Sequence, residues 1–282
     1  YIDSALFDGV LNYAEVVLPG ERMQEIFFST YFCHPSMANN ECSGPALAAE
    51  LIRYVAQMPR RKYTYRFIFI PETIGSISYL SVNDHLAHMQ KNMIAGFNMS
   101  CVGDDRDYSI VESKYADTLA DRVLKNVLQY HAGEYSVYSF LKRGSDERQY
   151  NSVGVDLPVV CYCRSKFGEY PEYHTSADDM NLVSPEGFQG SYDVMTQVIQ
   201  ALEFNQHYKV TVFCEPQLGK RGLYPTLSRK GNHNEINAMM DFIAYADGKH
   251  DLIEISDRIG ASVLQLVPLV KRLEEAELLS VL

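Results

Sequence analysis

The sequence FFSTYFCHPSMANNECSG, residues 27–44, changes character twice over a short distance. It begins with aromatic and β-branched residues, which predict a buried strand. The strand stops at Cys33-His34-Pro35, and a loop of Ser, Asn and Glu side chains follows. Ser43 and Gly44 then open a helical pattern. In α/β proteins ligands bind at the carboxyl ends of strands, so this stretch predicts a functional histidine at a sheet edge.

Strand-like and helix-like patterns alternate over about the first two hundred residues. Short apolar runs at Tyr65–Pro71, Ile94–Val102 and Leu157–Cys163 predict further buried strands. The predicted helices are Ser43–Met58, Ile74–Met89, Thr118–His131 and Pro185–Phe204. This alternation predicts an α/β fold with a mainly parallel, mixed sheet sandwiched by helices.

The amino-terminal region holds two strand-like runs, Gly9–Leu18 and Gln24–Phe32, on either side of Pro19-Gly20. Because Pro-Gly is a strong turn signal, the pattern predicts a β-hairpin. The chain begins at Tyr1 rather than at a methionine. We therefore expect the natural protein to extend further at this end.

The pattern changes near Phe204. Val210–Phe213 predicts one more strand, and CEPQLGKRGLYP, residues 214–225, has the composition of a turn-rich connector. Three helical patterns follow, at Glu235–Ala246, Leu252–Ile259 and Val263–Leu278. A Gly-Ala-Ser turn joins the last two, with Ser262 as the expected N-cap, and predicts a winged helix-turn-helix. The predicted organisation is an α/β domain at 1–204, a strand and connector at 205–232, and a winged-helix domain at 233–282.

Composition excludes several classes of function. The 282 residues carry a net charge of -11, and the pI is near 5.2, which argues against binding nucleic acid through bulk electrostatics. No apolar run reaches the ~20 residues that a membrane-spanning helix needs. None of the six cysteines forms a CxxC pair, and most lie in apolar runs. We therefore expect a reduced, cytoplasmic protein with no membrane partner.

The predicted winged helix has the wrong charge for DNA. Between His233 and Leu282 four basic residues face nine acidic ones, a net charge of minus five. The expected recognition helix, residues 262–275, is apolar around most of its circumference. Phosphate contacts need basic side chains, so this domain is expected to contact protein or to mediate self-association.

Polar side chains stand at the ends of four predicted strands in succession. They are His34, Glu72, the pair Asp104-Asp105, and His174 with its neighbours. Taken singly, each has an ordinary structural explanation, such as a turn or a carboxylate at a helix start. Together they bring two imidazoles and several carboxylates to one sheet edge, which is the ligand chemistry of one or two Zn²⁺ ions.

The motifs around these residues form a specific set: PETIGS, CVGDD, SDERQY, YHTSADD and EPQLGKRGLYP. In this order the chain resembles the co-catalytic zinc aminopeptidases of the bacterial leucyl aminopeptidase and glutamate carboxypeptidase type. It is most similar to the aminopeptidase-like proteins with a carboxyl-terminal winged helix that often accompany polysaccharide biosynthesis. The resemblance covers nearly the whole chain and implies a zinc exopeptidase-like fold.

The resemblance implies metal ligands at particular positions. His34 and Asp104 would bind one zinc ion, and His174 would bind a second. Asn40 stands where the family has a bridging aspartate, and Glu72 stands alone where the family has a Glu-Glu pair. An uncharged amide is a poor bridge, and one glutamate cannot easily serve as both base and ligand. The number of zinc ions therefore stays open between one and two.

The resemblance also implies residues that bind substrate. Asp146 and Asp105 are candidates for holding a free amino group, and Tyr173 lies beside the ligand histidine. Glu41, next to Asn40, is a further candidate and could replace the missing bridge. The expected substrates are small peptides, aminoacyl compounds or acyl-amino-sugars.

Two functions lead on these grounds, and a metal-free transcription regulator that binds duplex DNA is a third, disfavoured by the acidic winged helix. The first is a zinc-dependent amide hydrolase, an exopeptidase or amidase in which Glu72 deprotonates a metal-bound water. The second is a degenerate metal- or protein-binding scaffold that acts in polysaccharide or surface-glycan biosynthesis. Asn40 and the single glutamate favour the second.

Overall fold

The structure is a computed structural model of the chain. It describes residues 2–223 and 232–282, with the backbone alone for residues 232–234. The predicted connector 205–232 therefore lies partly outside the described residues. The same holds for the last two residues of the CEPQLGKRGLYP motif.

Within these ranges the strands form two sheets. In chain order they are β1 (Ala14–Leu18), β2 (Glu25–Tyr31), β3 (Thr64–Ile70), β4 (Met93–Met99), β5 (Ser109–Val111), β6 (Ser136–Tyr138), β7 (Val159–Cys163), β8 (His207–Val210), β9 (Asp247–Asp251) and β10 (Leu279–Val281). Strands β1 to β7 form the larger sheet, in the order β1-β3-β2-β4-β7-β5-β6. The pairs β2/β3, β2/β4, β4/β7 and β5/β6 are parallel, whereas β1/β3 and β5/β7 are antiparallel. This confirms the predicted mixed, mainly parallel sheet.

Helices flank the larger sheet and build most of the carboxyl-terminal region. The α-helices of the described ranges are α1 (Ser43–Gln57), α2 (Ile74–Ser81), α3 (His85–Asn92), α4 (Leu119–His131), α5 (Glu147–Tyr150), α6 (Pro185–Phe204), α7 (Asn232–Tyr245), α8 (Leu252–Ile259) and α9 (Val263–Glu275). Among the residues described, no helix combines the length and the apolar character needed to span a bilayer.

Strand β2 is the centre of the larger sheet. All of its residues are buried, because β3 and β4 cover both of its edges and helices cover its faces. The Phe28 ring stacks on Phe67 of β3 at 4.7 Å between centroids and on Phe97 of β4 at 5.4 Å. The aromatic run from Phe27 to Tyr31 is therefore core packing, whereas Phe32, just beyond the strand, is exposed.

Helix α1 begins where its backbone passes very close to the sheet. A Cβ atom on Gly44 would lie 2.2 Å from the Oγ1 atom of Thr30 and 2.7 Å from the carbonyl oxygen of Met99. Ser43 Oγ accepts a hydrogen bond from the Val102 backbone at 2.9 Å. The Ser-Gly dipeptide thus fixes α1 against the carboxyl ends of β2 and β4, since only glycine fits at this approach.

The predicted amino-terminal hairpin is wrong. Strands β1 and β2 do not pair with each other, because β3 lies between them and pairs with both. The turn instead packs on the start of β3, where the Gly20 backbone donates to Thr64 Oγ1 at 3.1 Å. The buried strand β2 needs a partner on each edge, and the parallel partners β3 and β4 supply them.

The predicted helix Ile74–Met89 is interrupted. Asn83 and Asp84 have φ angles of 53° and 57°, in the left-handed region that ends α2 and starts α3. Asn and Asp tolerate this conformation better than other non-glycine residues. The apolar spacing continues across the break, which is why the pattern predicted one helix.

The chain divides into two compact units, residues 1–121 with 136–192, and residues 122–135 with 193–282. In the second unit β8, β9 and β10 form an antiparallel sheet beside α7, α8 and α9. Three helices with a small antiparallel sheet confirm the predicted winged helix. Helix α8 begins with a capping box in which Asp251 and Glu254 bond each other's backbone.

The start of α9 is capped by a residue from another helix. Ser262 lies at the predicted N-cap position, but its side chain makes no capping hydrogen bond. Asn126 of α4 instead accepts from the Val263 backbone at 3.1 Å. Its amide nitrogen donates to Ser256 at 2.9 Å and to Asp257 at 2.6 Å. Within the second unit, the helix-turn-helix is thus bonded to α4.

Candidate functional site

Two histidines meet at the carboxyl edge of the larger sheet. His34 follows β2, His174 lies in the loop after β7, and their ring centroids are 5.1 Å apart. The Tyr173 ring stacks on His174 at 4.0 Å with an interplanar angle of 15°. The structure therefore brings together three of the residues singled out from the sequence.

Strained backbone marks the same edge. Thr73 after β3, Cys101 after β4 and His174 after β7 have φ angles of 62°, 53° and 56°. Such angles are costly for residues other than glycine and tend to persist where function or tight packing requires them. Thr73 and Cys101 were not predicted, because sequence patterns do not reveal this strain.

The polar loop of the quoted sequence forms a π-helical turn, Ala38–Cys42. Asn39 in this turn is fully buried and links it to the loop after β4. Its Oδ1 atom accepts from the backbones of Gly103 at 2.8 Å and Asp104 at 3.2 Å, and its Nδ2 atom donates to Asp104 Oδ2 at 2.9 Å. The turn is therefore held by side-chain amides.

The carboxylate of Asp104, a predicted zinc ligand, is fully used by donors from the protein. Oδ2 accepts from Asn39 Nδ2 and from the Ser165 backbone at 3.0 Å. Oδ1 accepts from Ser165 Oγ at 2.7 Å and from the Arg106 backbone at 3.1 Å. A carboxylate has about four lone-pair sites, so these four bonds leave none free for a metal ion.

Asn40, at the predicted bridging position, is also held by protein groups. Its backbone donates to Asp178 Oδ2 at 3.0 Å, and its Nδ2 atom donates to the Tyr31 hydroxyl at 3.0 Å. Its Oδ1 atom is buried without a hydrogen-bond partner in the described part of the chain. Asp178 further accepts from the Asn39 backbone at 2.6 Å. Asp178 lies inside the YHTSADD motif, but sequence analysis gave it no role.

Two predicted site carboxylates, Glu41 and Glu72, surround Cys33. Glu41 accepts a hydrogen bond from the Cys33 backbone, and Cys33 Sγ accepts one from the Glu72 backbone at 3.0 Å. Burial raises the pKa of Glu72, and its hydrogen bond with Ser145 and the nearby Arg148 charge offset the rise only in part. Glu41 adds to the rise by repulsion, so the two carboxylates interact electrostatically.

Asp146 is a buried carboxyl group beside Glu72. Its Oδ1 atom accepts from the Thr73 backbone at 2.7 Å and from Ser76 at 2.8 Å, while Oδ2 is buried with no partner among the described residues. Burial raises the pKa of Asp146 to about 7, and repulsion from Glu72 and Glu147 contributes. The structure thus places Asp146 beside Glu72.

Glu147 is an acidic residue that sequence analysis missed. It is fully buried, and its Oε1 atom accepts from the backbones of Gly144 at 2.8 Å and Ser145 at 3.2 Å. Burial raises its pKa. The SDERQY motif was the available signal. We refer to Glu41, Glu72, Asp146 and Glu147 as the acidic pocket.

Asp105, the other predicted amino-group ligand, points elsewhere. Its side chain is exposed and accepts a hydrogen bond from Ser184 Oγ at 3.0 Å, just before α6. Its neighbour Arg106 forms a two-bond ion pair with Glu172, both bonds at 2.9 Å, which ties the loop before His174 to the loop after β4.

These donors do not fit a pair of zinc ions. Asp104 has no free lone pair, and Asn40 carries no negative charge to bridge two cations. Within residues 2–223 and 232–282, no three His, Cys, Asp or Glu side chains are arranged to hold a metal ion. His34 and His174 are the two remaining neighbouring donors, and zinc for this chain stays a prediction.

Comparisons with known proteins agree with the fold. A family model described as a domain of unknown function, DUF4910, matches residues 4–205, and a winged helix-turn-helix model matches residues 206–281. A Clostridium acetobutylicum protein is 38% identical over 280 residues, covering 99% of this chain. Its name proposes a polysaccharide biosynthesis protein with an aminopeptidase-like domain. This chain spans 63% of that relative's length.

Solved structures give the same result. A crystal structure from Clostridium acetobutylicum, described as a proposed peptidase, has a TM-score of 0.87 at 36% identity over 96% of this chain and 60% of its own. A Bacillus subtilis zinc aminopeptidase has a TM-score of 0.57 at 18% identity, covering 67% of this chain and 49% of its own. Porphyromonas gingivalis glutaminyl cyclase has a TM-score of 0.56 at 15% identity, covering 68% of this chain and 78% of its own. The last two similarities concern the fold alone.

Proposed function

The chain belongs to the DUF4910 family, and on that basis we propose that its aminopeptidase-like scaffold binds a ligand carrying a protonated amino group in the acidic pocket. The observation that carries the proposal is the Asp146 Oδ2 atom, which is buried beside Glu72 and has no hydrogen-bond partner among the residues that the structure describes. Such an oxygen is costly to bury unless a ligand supplies a donor or a charge.

The electrostatics of the acidic pocket support this choice. Burial raises the pKa values of Glu72, Asp146 and Glu147, and repulsion between carboxylates adds to the rise at Glu72 and Asp146, so the ionised forms are destabilised in the free protein. Arg148 donates to Thr73 Oγ1 at 2.5 Å, and its charge lowers the pKa of Glu72 without cancelling the rise caused by burial. An ammonium group entering the pocket would be attracted by the carboxylates and would favour their ionised forms.

The ligand class follows from this chemistry and from the relatives. Aminoacyl compounds and sugars with a free amine carry the required cation. The polysaccharide link comes from the Clostridium relative's name. We also propose a cytoplasmic location. The winged helix is proposed to contact protein or to mediate self-association, rather than to bind nucleic acid.

Calorimetric titration with matched pairs of amines tests the proposal. Leucinamide and glucosamine are expected to bind at least about tenfold more tightly than their N-acetylated forms, because acetylation removes the positive charge. The substitution Glu72→Gln should remove most of this preference. Glu21→Gln is the matched control, since Glu21 is an exposed carboxylate paired with Arg60. Equal binding of free and acetylated ligands would refute amino-group recognition.

Amide hydrolysis is the second candidate function. The paired rings of His34 and His174 favour it, together with the raised pKa of Glu72, which makes this carboxylate a better proton acceptor. Since the donors do not fit two zinc ions, no catalytic step through a metal follows from this geometry.

Metal analysis and a substrate panel separate the hydrolase from a binding scaffold. If the chain is a zinc hydrolase, purified protein should hold about one zinc ion, and His34→Ala should lower its content. Zinc-loaded protein should then cleave aminoacyl amides or acyl-amino-sugars, and Glu72→Gln should abolish cleavage while retaining metal. If the zinc-loaded protein cleaves none of these compounds, the hydrolase is refuted and the binding scaffold remains.

A further inference from the structure

A groove begins at Glu41, one member of the acidic pocket, and follows one face of α1. It begins in a cavity of about 530 Å³ at Glu41 and Cys33. The lining residues of this cavity are Phe32, Cys33, Pro35, Glu41, Cys42 and Pro45. A member of the acidic pocket thus forms part of the groove wall.

Two further cavities extend the groove. The middle cavity, of about 420 Å³, has mostly apolar walls that include Ala38, Met180 and Val183. The outer cavity, of about 530 Å³, lies between α1 and α6 and contains Glu50 and Arg53. Pocket volumes of roughly 300–1,000 Å³ are typical of small-molecule sites, so the three together exceed the space that a small amine needs.

Shared walls show that the three cavities adjoin. Pro35 and Cys42 line both the inner and the middle cavity. Ala46 and Phe188 line both the middle and the outer one. The span from Cys42, the N-cap of α1, to Arg53 covers about 16 Å at the rise of an α-helix. We call this continuous surface the α1 groove.

Apolar side chains are exposed along the α1 groove near the acidic pocket. Met180 is 78% exposed and Phe32 is 45% exposed. Single exposed apolar residues are ordinary, but here they line a concave surface that opens from a polar site. The groove walls are most polar at the far end, where Glu50 and Arg53 form an ion pair.

We infer that the ligand carries a hydrocarbon chain, which lies in the α1 groove while its amino group occupies the acidic pocket. This inference rests on the proposed function, which concerns the amino group, and adds the chemistry of the rest of the ligand. A hydrocarbon chain suits the inner and middle walls because it needs no hydrogen-bond partners. A peptide chain would need partners for its N–H and C=O groups, and these walls offer few.

Titration with n-butylamine and n-dodecylamine, both below micelle-forming concentrations, tests the inference. Each buried methylene favours binding, so the longer amine is expected to bind at least about 30-fold more tightly. Dodecanol, which lacks the charge, should bind more weakly than dodecylamine. Equal affinity of the two amines would overturn the groove assignment and leave the acidic pocket in place. Failure of both amines would overturn the two proposals together.

A pair of tryptophan variants locates the chain. Ala46→Trp puts a large side chain where the middle and outer cavities meet, and it should abolish most of the gain from chain length without changing butylamine binding. Ala56→Trp is the control, because Ala56 is exposed on the same helix and lines none of the three cavities. An unchanged chain-length gain in Ala46→Trp would refute the inference.

Discussion

Replacement of Asp104 by alanine is expected to lower the free energy of unfolding by about 4 kcal/mol or more, a large part of a typical domain's stability. The carboxylate accepts four hydrogen bonds, from Asn39, Arg106 and both the backbone and the hydroxyl of Ser165. Asp104 is fully buried, and alanine would remove the acceptor from all four donors, of which the Asn39 amide is also fully buried. Urea denaturation followed by circular dichroism measures the loss.

A chelator distinguishes this structural role from zinc binding. If Asp104 stabilises the fold through hydrogen bonds, EDTA should leave the unfolding midpoint of the wild type nearly unchanged. Asp104→Asn keeps one carbonyl oxygen and should lose about half as much stability as alanine. A wild type that EDTA destabilises as much as Asp104→Ala does would identify Asp104 as a metal ligand. If Asp104→Ala cannot be purified, the asparagine variant and the EDTA comparison still distinguish a structural role of Asp104 from metal binding.

Replacement of Gly44 by alanine is expected to lower the free energy of unfolding by about 3 kcal/mol. The new Cβ atom would lie 2.2 Å from Thr30 Oγ1 and 2.7 Å from the carbonyl oxygen of Met99, well inside contact distance. Relief requires α1 to move away from the ends of β2 and β4. Because the π-helical turn Ala38–Cys42 leads directly into α1, this shift should also weaken amine binding. Thermal unfolding and titration with leucinamide measure the two effects.

A double substitution checks the cause. Thr30→Ala removes the nearest atom, so Gly44→Ala should cost clearly less in that background than in the wild type. Gly9→Ala is the control, since a Cβ atom there would meet nothing within 4 Å. If Gly44→Ala lowers the free energy of unfolding equally with and without Thr30, the strain lies at the Met99 carbonyl. If Gly44→Ala does not lower it at all, the close approach is refuted.

The α/β fold was predictable because its signals are local. The apolar runs of β2, β3, β4 and β7 and the helical spacing of α1 and α6 appear directly in the sequence. The hairpin prediction failed because strand pairing is not local, and nothing near Pro19-Gly20 reveals that β3 enters between β1 and β2. The three-residue strands β5 and β6 were too short to give a pattern.

The candidate site was predictable in position but not in chemistry. Strand ends correctly placed His34 beside His174. The sequence could not reveal that four hydrogen bonds occupy the Asp104 carboxylate, because the donors come from three separate loops. The burial that sets the pKa of Asp146 is likewise a property of the folded chain. Motifs name residue types, whereas hydrogen bonding determines which of their atoms remain available.

The bond between Asn126 and the start of α9 has a consequence for how this protein could have evolved. In the same unit Asn205, the residue after α6, donates to Asp251 at 3.1 Å and accepts from the Ile253 backbone at 3.1 Å. The helix-turn-helix thus completes its hydrogen bonds with α4 and with the residue that follows α6. A gene segment for residues 206–281 alone would therefore transfer an unfinished module. We expect descendants to inherit the two parts together.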